Sequence, residues 1–265
     1  MTTSMSWKTV LAFAVAASMA AAAYGEIVTW PAAPGTAATN GAFTVKVNGR
    51  DVDVIEIPKP THCLKGDDAQ PYYAAFFDAD EEVTVEVTGA ANMRRTRILP
   101  LRKGISPQAK GEHAVGFRAK PPFNVAVEPS GRHGALVIAA NVPEKDAPRP
   151  DDPNVVYFGP GRHRRDKAIK LGSGQTLYLA PGAYVEGWVS ASGTNMTVRG
   201  RGILSGLPWQ WGKGPVGWMV AAKGKDIVVK DVTLMSSWTW MLEVCHPSMT
   251  FLSRQLEKCL FVRSH

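Results

Sequence analysis

The chain has 265 residues, a formal net charge of +7 and 45% hydrophobic residues, enough for one large folded domain or two smaller ones. This composition excludes a globally disordered chain. Glycine and proline are frequent, with 25 and 19 residues, and helix-length periodicity is scarce outside the N-terminal leader, so we predict an all-β fold.

The first 25 residues are predicted to be a secretory signal peptide. Lys8 precedes an Ala-rich apolar run, and Ala23-Tyr24-Gly25 supplies small residues at the spacing of a cleavage site. The alternative is an N-terminal membrane anchor, but a spanning helix needs about 20 apolar residues and this run is shorter. We therefore expect a secreted or periplasmic protein without stable membrane insertion.

Residues 26–150 are predicted to form a β-sandwich of antiparallel strands. Residues 43–47 alternate between apolar and polar side chains and lead into Asn48-Gly49, a typical hairpin turn. Residues 83–87 alternate in the same way, and residues 123–127 and 135–142 indicate a further strand pair. Nothing in this region converges as a catalytic set, so its predicted role is support.

Residues 151–245 are predicted to form the coils of a short right-handed parallel β-helix, which we expect to be truncated. Residues 143–153, PEKDAPRPDDP, exclude a helix and a central strand, so the domain boundary is placed there. Beyond them, short apolar strands recur between Gly-rich corners, as in the Leu177 to Leu179 strand. At roughly 20 to 30 residues per coil, about four coils fit.

Residues 246–265 are predicted to be a divergent tail or cap. The Gly and Asn corners cease after Cys245, and residues 252–261 carry an apolar stripe that would suit a capping helix. The alternative is a truncated or frame-shifted gene whose last residues are unrelated to the preceding coils. We favour the truncation hypothesis.

No metal site, cofactor or nucleic-acid partner is predicted. The three cysteines lack metal-ligand spacing, although a Cys245–Cys259 disulfide stays open in an exported protein. The basic clusters, residues 94–97 and 162–165, lie on no recognisable nucleic-acid fold and lack interleaved aromatic residues. A basic protein suits an anionic polysaccharide, and solvated loops are the alternative explanation of both clusters.

Four segments resemble known β-helix glycoside hydrolases. The run GRGILSGLPWQW, residues 200–211, is similar to the polygalacturonase Gly-x-Gly-x-Ile-Asp-Gly turn followed by paired tryptophans, and residues 225–245 resemble the next coil. VYFGPGRH and TLYLAPGAYVEG, with a sandwich before them, are more similar to the dextranase and isopullulanase family. The chain departs from the polygalacturonase pattern at Ser205, where that family usually has Asp.

The resemblance implies polysaccharide hydrolysis with inversion, a reaction that needs two carboxyl groups about 6.5 to 9.5 Å apart. It also implies an aspartate cluster on the following coils, and no Asp-Asp pair occurs there. We therefore assign no catalytic residue and expect little or no activity. The acids after residue 155 are Asp166, Glu186, Asp226, Asp231, Glu243 and Glu257.

Four tryptophans are the candidate substrate-binding residues: Trp209, Trp211, Trp238 and Trp240. The resemblance places them in or beside the substrate groove, and flat aromatic rings suit the apolar faces of sugars. On a strand, alternate members of each Trp-x-Trp pair would face opposite ways, so at least one of each pair is expected to pack. The alternative functions are a non-catalytic glycan-binding or surface-structural β-helix protein, and a lyase that would need a calcium site.

Overall fold

The structure is a computed structural model that describes residues 25–58, 71–129 and 134–245, with side chains to residue 243. Its first part consists of strands and one short 3₁₀ helix, Leu101–Lys103. The strands are β1 Ile27–Val28, β2 Phe43–Val47, β3 Arg50–Val52, β4 Val54–Ile57, β5 Tyr72–Ala79, β6 Val83–Gly89, β7 Arg97–Leu99, β8 Gln108–Ala109, β9 Ala114–Ala119, β10 Phe123–Glu128 and β11 Leu136–Asn141.

These strands form the predicted sandwich of two sheets. One sheet has the order β1-β5-β11-β10-β7, with β4 beside β5, and the other has the order β3-β2-β6-β9-β8. Alternate residues of β2 and β6, such as Val45 and Val85, are buried in the core between the sheets. Asn48 and Gly49 both have positive φ, 47° and 81°, which a type I′ hairpin turn requires.

The expectation that this part is purely antiparallel is wrong at one pair of strands. Strands β5 and β11 are parallel, with Leu136 opposite Tyr73 and Ala140 opposite Phe77. Between β5 and β11 the chain forms β6, β8 and β9 in the other sheet and β7 and β10 in this one, and β11 then lies between β10 and β5. Alternation along a strand reports which face is buried, but it carries no information about the direction of a distant partner.

The second part of the chain forms a parallel β-helix, as predicted. Its strands stack in parallel in two sheets, with the orders β12-β15-β17-β19-β21 and β13-β16-β18-β20, and β14 pairs with β17. The strands are β12 Val155–Phe158, β13 Gly161–Arg164, β14 Ile169–Leu171, β15 Thr176–Leu179, β16 Ala183–Glu186, β17 Val189–Gly200, β18 Ile203–Ser205, β19 Trp218–Lys230, β20 Thr233–Met235 and β21 Trp240–Cys245.

The coil has three faces because β17 and β19 each turn a corner in mid-strand. Gly193 and Gly224 lie at that corner with φ of 143° and 139°, and they stack on each other in register. A Cβ at Gly224 would lie 1.8 Å from the Gly193 carbonyl oxygen, so no side chain fits there. The corner therefore depends on glycine for its backbone angle and for its close stacking.

We name the three faces by what lies over them. The connector face consists of β12, β15 and the second halves of β17 and β19. The sandwich face consists of β13, β16, β18 and β20. The open face consists of β14, the first halves of β17 and β19, and β21.

The sandwich packs against the sandwich face through an apolar cluster and one buried ion pair. The β-helix contributes Tyr184, Ile203 and Met235 to this cluster, and the sandwich contributes residues that include Ile55 and Ala74. Arg201 Nε donates to both carboxylate oxygens of Asp78 at 2.9 Å, and both side chains are only 5% exposed. The sandwich therefore covers most of this face, and a pocket lined by residues that include Trp30, Tyr184 and Ile203 remains between the two parts.

Several predictions lie outside the described residues, among them the signal peptide, the tail with its capping helix, and Cys63 and Cys259. The predicted boundary at residues 150–151 falls in the connector between β11 and β12. Within the described ranges, no helix is long and apolar enough to cross a membrane.

Candidate functional site

The connector face is covered by two acids of the segment between β11 and β12. Tyr178 Oη donates to Glu144 Oε2 at 2.6 Å, and Arg199 donates to Glu144 at 2.8 Å and to Asp146 at 2.7 Å. Hydrogen bonds from Arg199 lower the pKa of Asp146 to about 2, and the same bonds raise the pKa of Arg199. The connector is thus bound to the coils rather than being a free linker.

The open face carries exposed polar side chains where the other two faces are covered. Ile169, Val189, Val220 and Leu242 stack in register and point into the core or pack against it. The next residue on each strand lies on the outer side of the coil, and these four residues also stack in register; the first two are exposed, the third is buried and the fourth is partly exposed. They are Lys170, Ser190, Ala221 and Glu243.

Trp218, Lys223 and Trp240 lie beside this outward row. Met219 and Val220 are both in the core, so the alternation shifts by one residue and Trp218 lies on the outer side with Lys223. The Lys223 ammonium lies 5.1 Å from the centroid of the Trp218 ring, within the range of a cation–π contact. Trp218 pairs in register with Trp240, whose side chain is 73% exposed.

Two of the four predicted tryptophans pack inside the coil. Trp238 is 1% exposed, its Nε1 donates to the Val216 carbonyl oxygen at 2.5 Å, and Gly214 lies directly against its ring. Trp209 is half-buried, and its ring centroid is 4.9 Å from that of Trp238 in an edge-to-face contact. Trp238 therefore packs in the core beneath the open face and is not exposed on that face.

The other two tryptophans, Trp211 and Trp240, are exposed, at 43% and 73%. Each predicted pair thus has one packed and one exposed member, as expected, but for a different reason. Trp209 and Trp211 lie in the loop between β18 and β19, and Trp238 lies in a bend before β21. Loop and bend geometry separate the members of each pair, and strand alternation plays no part.

The acids of the coils are spread over different surroundings. Glu186 is buried on the sandwich face and accepts a hydrogen bond from Arg162, while Asp231 lies 3.7 Å from Arg201. Asp166 and Asp226 are exposed at corners. Glu243 is the one acid on the strands of the open face, and its Oε2 is buried without a hydrogen-bond partner in the described structure.

The basic cluster at residues 162–165 is largely engaged within the protein. Arg162 pairs with Glu186, and Arg164 lies 3.6 Å from Asp166. His163 points into the coil, where its Nε2 lies 2.8 Å from the Gly159 carbonyl oxygen. The cluster therefore serves the first coil rather than presenting a continuous nucleic-acid surface.

Comparisons with known proteins identify the fold and leave the family unassigned. No protein-family model and no curated protein matches the sequence. A solved structure, Dex49A from Penicillium minioluteum, superposes with a TM-score of 0.60 at 16% identity. The chain shares its fold with this protein. The superposition covers 83% of this chain and 64% of Dex49A, so the chain spans less than two thirds of that protein.

Sequence reasoning overlooked several residues that define the open face. Trp218 and Lys223 were not selected because neither belongs to a Trp-x-Trp pair or a charge cluster. Lys170, Ser190 and Glu243 become neighbours only through stacking of successive coils. In the sequence, each of these residues directly follows an apolar residue of a predicted strand, which indicates an outward position. Recognising them as neighbours would also have required the register between successive coils, which the sequence does not give.

Within the described residues, no group of three or more His, Cys, Asp or Glu side chains could hold a metal ion.

Proposed function

We propose that the open face binds polysaccharide and that the chain is an exported glycoside hydrolase-like protein with little or no hydrolytic activity. The observation that carries the proposal is the exposed ring of Trp240 next to the half-buried ring of Trp218 and its neighbour Lys223, on the face left uncovered by the sandwich and the connector. Aromatic rings stack on the apolar faces of sugars, while polar side chains bind their hydroxyl groups.

The positive charges on the open face favour binding of an anionic polysaccharide. Lys170 and Lys223 are exposed, and the Lys223 ammonium lies over the Trp218 ring. Anionic groups of a polymer would be attracted to both ammonium groups, and this attraction weakens as salt rises. Binding to polygalacturonate should therefore fall with ionic strength more steeply than binding to neutral dextran.

Weak or absent hydrolysis is supported by the small number of acids on the open face. Inverting hydrolysis needs an acid and a base on the same groove, and the strands of this face carry Glu243 alone. Release of reducing sugars from dextran or polygalacturonate by the purified chain should therefore stay at the level of the buffer. Measurable release would overturn this part of the proposal and leave the binding part standing.

The binding proposal is tested by affinity electrophoresis in gels containing dextran or polygalacturonate. The native chain should be retarded by at least one of them, and Trp240→Ala should lose the retardation. Leu101→Ala is the matched control, because Leu101 is 72% exposed on the sandwich and far from the coils in sequence. Equal retardation of Trp240→Ala and native protein would remove the open face as the binding site.

The alternative function is a surface-structural β-helix protein that binds no free polysaccharide. It would migrate identically in gels with and without polymer.

A further inference from the structure

A pocket lies between the sandwich and the β-helix, apart from the open face. It encloses about 380 Å³, part of it open to solvent. This volume is near the lower end of the range for small-molecule sites, so the pocket suits a group about as large as one six-membered ring. Its lining includes the buried side chains of Ala33, Ile55, Ala183 and Ile203, so a ligand would meet an apolar surface inside.

The accessible part of the lining carries one carboxylate and two aromatic rings. Asp53 is exposed, Trp30 and Phe76 are half-buried, and all three line the pocket. Asp53 Oδ2 accepts a hydrogen bond from the Ala32 backbone N–H at 2.8 Å, which holds the carboxylate in place. Asp53 Oδ1 makes no hydrogen bond with the described residues. An exposed side chain therefore offers an acceptor oxygen beside the rings.

Gly182 leaves space between the coil and the segment that carries Trp30. A Cβ on Gly182 would lie 3.3 Å from the Pro31 carbonyl oxygen and 3.7 Å from Trp30 Cδ1. A larger side chain at this position would extend into the pocket and narrow it.

The positive charges around the pocket are already paired with acids. Arg201, which lines the pocket, donates from Nε to both carboxylate oxygens of Asp78 at 2.9 Å. Arg162, on the neighbouring strand of the coil, pairs with Glu186. Among the described residues, no cation lies within ion-pair distance of Asp53. The pocket thus presents a carboxylate without a counter-charge, although the chain has a formal net charge of +7.

We propose that this pocket binds an organic ammonium ion, a protonated amine on a body about as large as one ring. The ammonium group donates a hydrogen bond to Asp53 and forms an ion pair with it, and the body packs against Trp30 and Phe76. Hydrogen bonds between charged groups are about twice as strong as neutral ones, and aromatic rings attract cations. A neutral molecule of the same shape lacks both contributions, and an anion is repelled.

The test compares ammonium compounds with neutral molecules of the same shape. Cyclohexylammonium is paired with cyclohexanol, and glucosamine with glucose, in NMR titrations of the native chain near neutral pH. At least one ammonium compound should bind about tenfold more tightly than its neutral counterpart. A preference for glucosamine would assign an amino sugar, and a preference for cyclohexylammonium would assign an amine with an apolar body. Equal affinities within both pairs, or no binding, would overturn the proposal.

The site is located by Asp53→Asn, which removes the charge and keeps an oxygen that can accept the hydrogen bond from Ala32. Ammonium binding should weaken by about tenfold, and the affinity for the neutral molecules should stay the same. Asp51→Asn is the matched control, because it removes another exposed acid two positions earlier, one that pairs with Lys46 at 3.1 Å. It should change no affinity. Ammonium binding that is the same in Asp53→Asn and the native chain would overturn the proposal.

A further measurement separates this site from the open face. Ammonium binding should weaken as the salt concentration rises, because the ion pair with Asp53 is exposed to solvent. Binding that is independent of salt would contradict the ion pair. The proposal does not rest on polysaccharide binding: Asp53→Asn should keep any retardation in polymer gels that the native chain shows, and Trp240→Ala should keep its ammonium binding. Loss of ammonium binding in Trp240→Ala would place the ligand on the open face and overturn the assignment to this pocket.

Discussion

The sandwich face and the open face belong to the same coils, yet their outward residues differ completely in character. On the sandwich face, Tyr184 and Ile203 are buried against the sandwich. On the open face, Lys170 and Ser190 occupy equivalent outward positions and are exposed. Inward-pointing residues form the core of the coil on all three faces. The outward-pointing residues therefore determine what packs against each face.

The largest expected effect comes from the packed tryptophan that supports the open face from inside the coil. Trp238→Ala should lower the free energy of unfolding by about 3 to 5 kcal/mol, because it leaves a large cavity against Trp188 and Trp209. Urea denaturation followed by circular dichroism measures this loss. Trp240→Ala should change stability by no more than about 0.5 kcal/mol, since its side chain is 73% exposed.

Equal stability losses for Trp238→Ala and Trp240→Ala would contradict the distinction between packing and exposed tryptophans.

The next effect concerns the ion pair beneath the sandwich face. Arg201→Ala should destabilise the chain by at least about 3 kcal/mol, because it leaves Asp78 buried and unpaired and removes the hydrogen bond to the Val142 carbonyl oxygen. The same denaturation experiment measures the loss. Lys170→Ala, a cation removed from the open face, is the control and should change stability little.

Recovery of most of the lost stability in the double variant Asp78→Ala, Arg201→Ala would show that the buried, unpaired Asp78 carboxyl group causes the loss. No recovery would contradict that cause.

A smaller effect is the pH dependence of stability from two acids that anchor the β-helix. Burial raises the pKa of Asp78 from 3.8 to about 6 although Arg201 opposes the shift. The folded state therefore binds the proton more tightly than the unfolded state, and this contribution to stability is present below about pH 4 and lost as pH rises through 6. Thermal unfolding between pH 4 and 7 should show the slope, and Asp78→Asn should remove it.

Asp146 gives the opposite slope in a separate range. Its folded-state pKa of about 2 lies below its ordinary value of 3.8, so its contribution is present above pH 4 and lost as pH falls toward 2. Asp146→Asn should flatten stability in that lower range alone. A change in the wrong range for either variant would contradict the assignment.

The smallest expected effect lies on the open face itself. Lys223→Met keeps the aliphatic part of the side chain but removes the charge that lies over Trp218. An exposed cation–π contact contributes about 0.5 to 1 kcal/mol, so stability should fall by no more than that. Polygalacturonate binding should weaken and lose part of its salt dependence, which titrations at two salt concentrations measure. An unchanged salt dependence would remove Lys223 from the binding surface.

Much of the fold was predictable from the sequence, because burial patterns along single strands are local. The Val83 to Val87 alternation, the Asn48-Gly49 turn and the inward positions of Leu177 and Leu179 all appear in the structure as predicted. The parallel pairing of β5 with β11 was not predictable in this way, since it joins segments far apart in the chain. The candidate site was only half predictable, since Trp238 and Trp240 look equivalent in sequence.

By itself, the sequence determined the β class, the coil repeat and the residues that point inward, since apolar periodicity and Gly corners act over a few residues at a time. Only the tertiary structure decided which face stays open. That outcome depends on the sandwich docking on Tyr184 and Ile203 and on the connector acids binding Arg199, contacts that span long stretches of chain. Burial of those two faces leaves Trp240 and Glu243 on the third.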